Sequence, residues 1–230
     1  MGDFFKTILR KVSHLIIQPI RVYCVHQVSD KFEPDTMWEC AWMQTDEFKQ
    51  KILRIREEGV SFISLSDATD KLQHDWFRLK KYAVLTADDG WSSMKNILPW
   101  LAEQRIPITL FINPLYLDGV HKQERETEKL LTKDELMHIT QQYYPLVCIA
   151  SHGWSHTNCA ELTDEEFRNQ IMTADRELRN FNTYVPYMAF PFGKYTRSNI
   201  STLQELQIKP VYIDGMVNWN DPQVIHREDL

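Results

Sequence analysis

Tyr82-Ala83-Val84-Leu85-Thr86-Ala87-Asp88-Asp89-Gly90 reads as an apolar strand that ends in two adjacent carboxylates and a turn residue. Working outward from it, strand-like runs alternate with amphipathic helical stretches. The strands fall at 20–28, 60–65, 82–87, 108–112, 146–150, 187–190 and 210–213. Between them, Phe48, Ile52 and Ile55 line one face of a helix that starts near Thr45 and stops at Gly59. Ser66 and Ser92 are placed to cap two more helices, the second running towards Gln104. Thr132-x-x-Glu135 and Thr163-x-x-Glu166 are capping-box patterns. The second opens a helix carrying Phe167, Ile171, Ala174, Leu178 and Phe181 on one side. A further helix spans 198–206, and 115–131 reads as a polar surface excursion. Alternating strands and helices imply a parallel sheet with helices outside. Six or seven strands in one domain suit a barrel or a doubly wound sheet, and in both the function sits at the carboxyl ends of the strands.

Composition narrows the classes. The chain has 230 residues, 43% hydrophobic and 25% charged, with 7 Gly and 10 Pro. That is ordinary for one globular domain and excludes a disordered chain, a collagen and a coiled coil. A net charge of −6 argues against a nucleic-acid platform. Cys24, Cys40, Cys148 and Cys159 form no C-x-x-C pair, so a zinc ribbon is excluded and four free thiols in a reducing compartment are expected. No run of 18 apolar residues exists. Phe4, Phe5, Ile8, Leu9, Val12, Leu15 and Ile16 recur at helical spacing with Lys6, Arg10 and Lys11 between them. Residues 1–19 are read as an amphipathic helix packed on the domain, with weak membrane-surface contact through 4–16 as the alternative. No signal-peptide pattern is present, so a cytoplasmic location is expected, membrane-peripheral if 4–16 meets a bilayer.

The strand exits carry the chemistry. Adjacent Asp88 and Asp89 repel one another unless a positive group sits between them, and a divalent metal supplies that charge. The strand at 146–150 exits into Ser151-His152-Gly153-Trp154-Ser155-His156, whose two His, at i and i+4 on one side of a helical turn, can share a metal. The strand at 187–190 exits into Pro191-Phe192-Gly193. Each feature alone is weak, since Asp-Asp-Gly is usually a turn and H-x-x-x-H is usually a surface or packed pair. Their joint placement at successive strand ends favours a metal site. Gly153 stands where H-E-x-x-H has its Glu, so a zincin-type protease is disfavoured.

These motifs resemble those of the polysaccharide deacetylases, the NodB-homology carbohydrate esterases of family four. Thr86-Ala87-Asp88-Asp89-Gly90 is similar to their T-F-D-D-G, and 151–156 to their S-H-[ST]-x-x-H. Phe190-Pro191-Phe192-Gly193 is similar to their [FY]-P-[YF]-G. Val25-His26-Gln27-Val28, Ile63-Ser64-Leu65 and 106–111 resemble the branch acting on exopolysaccharide poly-N-acetylglucosamine. The resemblance implies a distorted (β/α) barrel of seven parallel strands in a single domain over 20–230. It implies one divalent ion, commonly zinc, on Asp89, His152 and His156, with Asp88 as general base and the Phe192 backbone N–H on the oxyanion. The reaction implied is removal of N-acetyl groups from an N-acetylated sugar or polysaccharide in surface-polysaccharide biosynthesis. A hydrolase of a non-sugar amide or imide is the alternative. A silent glycan-binding protein is disfavoured by the intact Asp88, Asp89, His152 and His156.

There are departures. Ala87 replaces the motif's Phe. Ala189 stands where many relatives have an Arg that tunes the base, so something else must orient Asp88. Val224-Ile225-His226-Arg227 is nearest to the terminal Leu-x-His, which makes His226 the candidate general acid, although the exopolysaccharide branch has a similar I-x-R there. Trp91, Pro191, Phe192, Asp214, Trp219 and His26 are the candidate substrate contacts. His14, His74, His121 and His138 are read as surface residues.

Overall fold

The computed structural model describes residues 17–31, 42–75, 77–118 and 130–230. The reading of residues 1–16 as a helix therefore lies outside the described residues, as do Cys40, His14 and His121.

Seven strands close into a ring: β1 (Ile20–Val25), β5 (Lys81–Ala87), β6 (Ile108–Ile112), β7 (Val147–Ser151), β8 (Tyr184–Ala189), β9 (Lys209–Ile213) and β10 (Ile225–Asp229). Every neighbouring pair is parallel. The strand absent from the sequence reading is β10, which closes the ring by pairing Tyr23 with Glu228, while β1 pairs Cys24 with Thr86 of β5. A short β4 (Val60–Phe62) pairs with Lys81–Ala83 below the point where β6 takes over the same edge. The first strand does not run unbroken to Val28. It breaks at His26, and β2 (Gln27–Val28) pairs with β3 (Trp42–Met43) in a separate ribbon.

Side chains alternate between the two faces of each strand. Val22, Val84, Phe111, Ala150, Ala189, Val211 and Ile225 fill the barrel interior. The outward set, including Leu85, Leu110 and Ile149, packs under the helices. These are α1 (Thr45–Glu57), α2 (Leu65–His74), α3 (Leu98–Glu103), α4 (Lys133–Gln142), α5 (Asp164–Leu178) and α6 (Arg197–Glu205). Both expected capping boxes are present, on Thr132 and Thr163. Two expected caps move. Ser64, rather than Ser66, accepts the Asp67 N–H at the start of α2. Ser92 opens a 3-10 turn, Ser92–Asn96, and α3 starts afresh with Pro99 in its first turn. The 115–131 excursion is buried at its ends, where Leu117 and Leu131 join the outer core. Cys24, Cys148 and Cys159 are free thiols, and His74 and His138 are exposed.

Candidate active site

Alternation along β5 sends Val84, Thr86 and Asp88 into the barrel and leaves Asp89 on its carboxyl-terminal rim. Asp88 prolongs the strand, its N–H donating to Val25 O at 3.0 Å. Asp89 then takes a left-handed φ of 68° and Gly90 one of 74°. A side chain on Gly90 would place its Cβ 2.9 Å from Ile112 Cδ1, so the sharp exit needs glycine. Five non-glycine residues among those described have positive φ, and Asp89, His156 and Phe192, three of the five, stand at this rim. Such conformations cost on the order of 1–3 kcal/mol each, and they cluster where function requires a set geometry.

The two His converge without a helical turn, contrary to the spacing argument. Gly153, with φ 76°, and His156, with φ 53°, fold the segment after β7 into a loop that brings both rings together, centroids 5.0 Å apart. The loop is braced by Asn113, whose Nδ2 donates to the carbonyls of His152 and Gly153. His152 Nδ1 lies 2.9 Å from Ala189 O, an acceptor that fixes the proton on Nδ1 and turns the Nε2 lone pair outward. That Nε2 is 3.3 Å from Asp89 Oδ1, and His156 Nε2 is 3.1 Å from the same oxygen. Asp89 Oδ1 is buried and has no hydrogen-bond partner. Two imidazole nitrogens and an orphaned carboxylate oxygen aimed at one point fit a metal ion better than a hydrogen-bonded cluster. Trp91 is buried, and its Nε1 donates to Asp89 Oδ2 at 3.0 Å. It therefore orients the Asp89 carboxylate, with little of the indole left exposed.

Asp88 is 3% exposed, and what orients it is Arg227. Arg227 NH1 meets Oδ1 at 2.7 Å and NH2 meets Oδ2 at 2.5 Å, a two-pronged pair inside the barrel. NH1 also reaches Thr86 Oγ1 at 3.3 Å, and the guanidinium lies 5.2 Å from the Phe111 ring centre. Burial alone would raise the Asp88 carboxyl, but the Arg227 charge, joined by His152 and His26, outweighs it and holds Asp88 below its ordinary value. Burial is likewise overcome at Asp89, where His152 and His156 hold the carboxyl well below its ordinary value. His152 moves up: burial opposes its charge, but the two carboxylates prevail. A negative field that favours a proton on His152 also favours a dication.

The sequence points to His226 rather than to the adjacent Arg227, because His226 is the match to the terminal Leu-x-His. Adjacent residues on a strand face opposite ways, so with Arg227 inside, His226 is outside, its ring 5.8 Å from outward-facing Tyr212. His226 Nδ1 pairs with Asp214 Oδ2 at 2.7 Å, and its backbone is locked to the Asn218 amide. The structure thus brings Arg227, not the expected His226, to Asp88. The signal available was the I-x-R pattern together with a base lacking its usual Arg.

Trp219 is also displaced from the rim. Its carbonyl accepts from Arg78 at the opposite end of the barrel, near Ile20, where Asn218 bridges β1. His26 does reach the site: just past the end of β1, its ring nitrogen, Cys24 Sγ and an Asp88 oxygen all lie within 4.8 Å of one another. Pro191 is buried in the 3-10 turn Pro191–Gly193 after β8, and Phe192 is 50% exposed with its ring 4.6 Å from that of His156.

Known proteins bear on this geometry. The polysaccharide deacetylase family profile matches residues 78–211, more than half of the chain. No curated protein sequence matches. Among solved structures, IcaB from Ammonifex degensii is 19% identical, with a TM-score of 0.78, and the match covers 93% of this chain and 92% of that one. The Streptococcus pyogenes deacetylase PplD, in complex with acetate, is 18% identical over 93% of each chain at a TM-score of 0.74. The BpsB deacetylase domain from Bordetella bronchiseptica is 20% identical, covering 92% and 95% of the two chains at a TM-score of 0.68. These likenesses agree on the barrel, and the profile spans the Asp-Asp-Gly, His-x-x-x-His and Pro-Phe-Gly segments. The chain belongs to the polysaccharide deacetylase family.

Proposed function

We propose that the chain is a divalent-metal-dependent hydrolase that removes N-acetyl groups from an N-acetylated glycan during surface-polysaccharide biosynthesis. The observation that carries the reading is the convergence of Asp89, His152 and His156 beside a buried, Arg-paired Asp88. Three protein ligands of N and O type leave a coordination position open, the arrangement of catalytic zinc sites. When bound there, a divalent ion supplies Lewis acidity towards an amide carbonyl and acidity to water. The remaining work falls to the chain. Asp88, kept ionised and fixed in plane by Arg227, still has lone pairs free on both oxygens and accepts the proton of the attacking water. The Phe192 backbone N–H meets the developing oxyanion. His26, with a ring nitrogen within 4.8 Å of an Asp88 oxygen, hands a proton to the departing amine. His226, tied to Asp214, positions the chain end. Acetate and a free sugar amine are the products, and PplD is a deacetylase seen with acetate.

In this reading residues 4–16 also make weak contact with a membrane surface. In its support, Gln18 at the exit of that segment donates to Arg78 O, beside exposed Phe77, Leu79, Lys80 and Lys81.

Acetate release is the test, measured on N-acetylglucosamine oligomers beside small cyclic amides, before chelation, after it and after zinc return. The proposal predicts release from the oligomers only, lost with chelator and restored with zinc. Turnover of the cyclic amides alone favours the non-sugar amide hydrolase, and chelator-resistant turnover removes the metal.

A further inference from the structure

Beyond the metal rim, the outer face of β8 and β9 carries an aromatic stack that the reaction leaves unused. Phe190 and Tyr212 lie nearly parallel, 9° apart with ring centres at 5.8 Å. Tyr195 covers both, its centre 4.8 Å from each. Phe190 and Tyr212 are buried, whereas Tyr195 is 40% exposed. The Tyr195 ring is thus seated on two buried rings while the residue itself stays exposed. Its orientation is set by packing rather than by the ligand, so stacking on it costs little ordering entropy. Beside Tyr212 lies the partly exposed Asp214–His226 pair, with side chains 32% and 23% exposed. A flat apolar ring next to a carboxylate and an imidazole offers a pyranose what it needs: a surface for its C–H face and partners for its hydroxyl or amine groups.

The platform is continuous with the catalytic rim. Tyr195 follows Phe192 by three residues, a span of at most ~11 Å, and Phe192 abuts the metal-ligand candidate His156. We infer that Tyr195, with the Asp214–His226 pair beyond its neighbour Tyr212, is a sugar subsite for a pyranose adjacent to the one whose N-acetyl group occupies the metal site. This inference rests on the deacetylase reading above.

The test compares N-acetylglucosamine pentamer with the disaccharide on wild type, Tyr195→Ala and Tyr195→Phe, with melting temperature as the folding control. The expected result is a roughly 3–10-fold rise in KM for pentamer in Tyr195→Ala, with kcat held, little change on disaccharide and recovery in Tyr195→Phe. Equal effects on both lengths, or none on either, overturn the subsite while leaving the deacetylase reading intact. Wild type that releases acetate from neither length overturns both.

Discussion

Two arginines are buried to 1% exposure at opposite ends of the barrel, and they are held in different ways. Arg227 meets one carboxylate, Asp88, through both of its terminal nitrogens, while its Nε has no partner. Arg78 meets no carboxylate among the described residues. Its nitrogens donate to the carbonyls of Gln18, Lys71, Asp75 and Trp219 and to Asn220 Oδ1. Burial lowers the pKa of Arg78, with the Asp75 charge opposing only in part, whereas at Arg227 the Asp88 charge overcomes burial and the value rises. Neutral dipoles are enough to hold a cation that ties Gln18, the α2–β5 loop and the 219–220 loop together. A buried ion pair is a poor route to stability. It is explained at Arg227 by what it does to its partner, which is to keep Asp88 charged and oriented inside an apolar barrel.

The sharpest way to break the comparison is to remove each arginine. Arg227→Leu leaves Asp88 as a buried unpaired charge, which should cost about 3–5 kcal/mol in denaturant unfolding and abolish activity. Arg227→Lys keeps the charge and loses the fork. Asp88 is depressed in the fold, so the pair's stabilisation is present above the ordinary Asp value of ~3.9 and is lost as pH falls through the depressed one. Burial regains influence when the fork is lost, so the acid limb of the kcat/KM profile should move to higher pH in Arg227→Lys. An unmoved limb means Arg227 does not set the state of Asp88.

Arg78→Met should cost about 1–3 kcal/mol, because buried carbonyls lose their donor, and leave kcat as in wild type. A fall in kcat at full folding would erase the distinction between the two ends. The smallest effect is expected at His226→Ala. Its ring faces outward and touches Asp214, so kcat on a short substrate should stay within about threefold, against the ~10²–10⁴-fold expected of a general acid. A loss of the larger size would return the acid role to His226.

The same contrast explains what could be read from sequence. The convergence of Asp88, Asp89, His152 and His156 was legible because the Asp pair follows one apolar strand and the His pair another, and parallel strands in a barrel end on one rim. Their motif spacing is local. The details between them were not, since the helical reading of 152–156 ignored what Gly153 permits, and the loop runs left-handed at His156. Arg227 was hidden because its partnership spans 139 residues and depends on β10 closing the ring beside β1, a register that no local pattern encodes. Trp219 was misplaced because the 214–224 connection leaves the rim to pair Asn218 with Ile20 before β10 begins. Trp91 lies beside the motif, but only its indole N–H on Asp89 reveals its role.

The central claim is that Asp88 is the base and Asp89, His152 and His156 hold the ion. It is tested most directly by measuring bound metal and acetate release together in Asp88→Asn. The account predicts metal content close to one ion per chain, as in wild type, with kcat reduced ~10²–10⁴-fold. Activity within a few-fold of wild type at full metal content would contradict it.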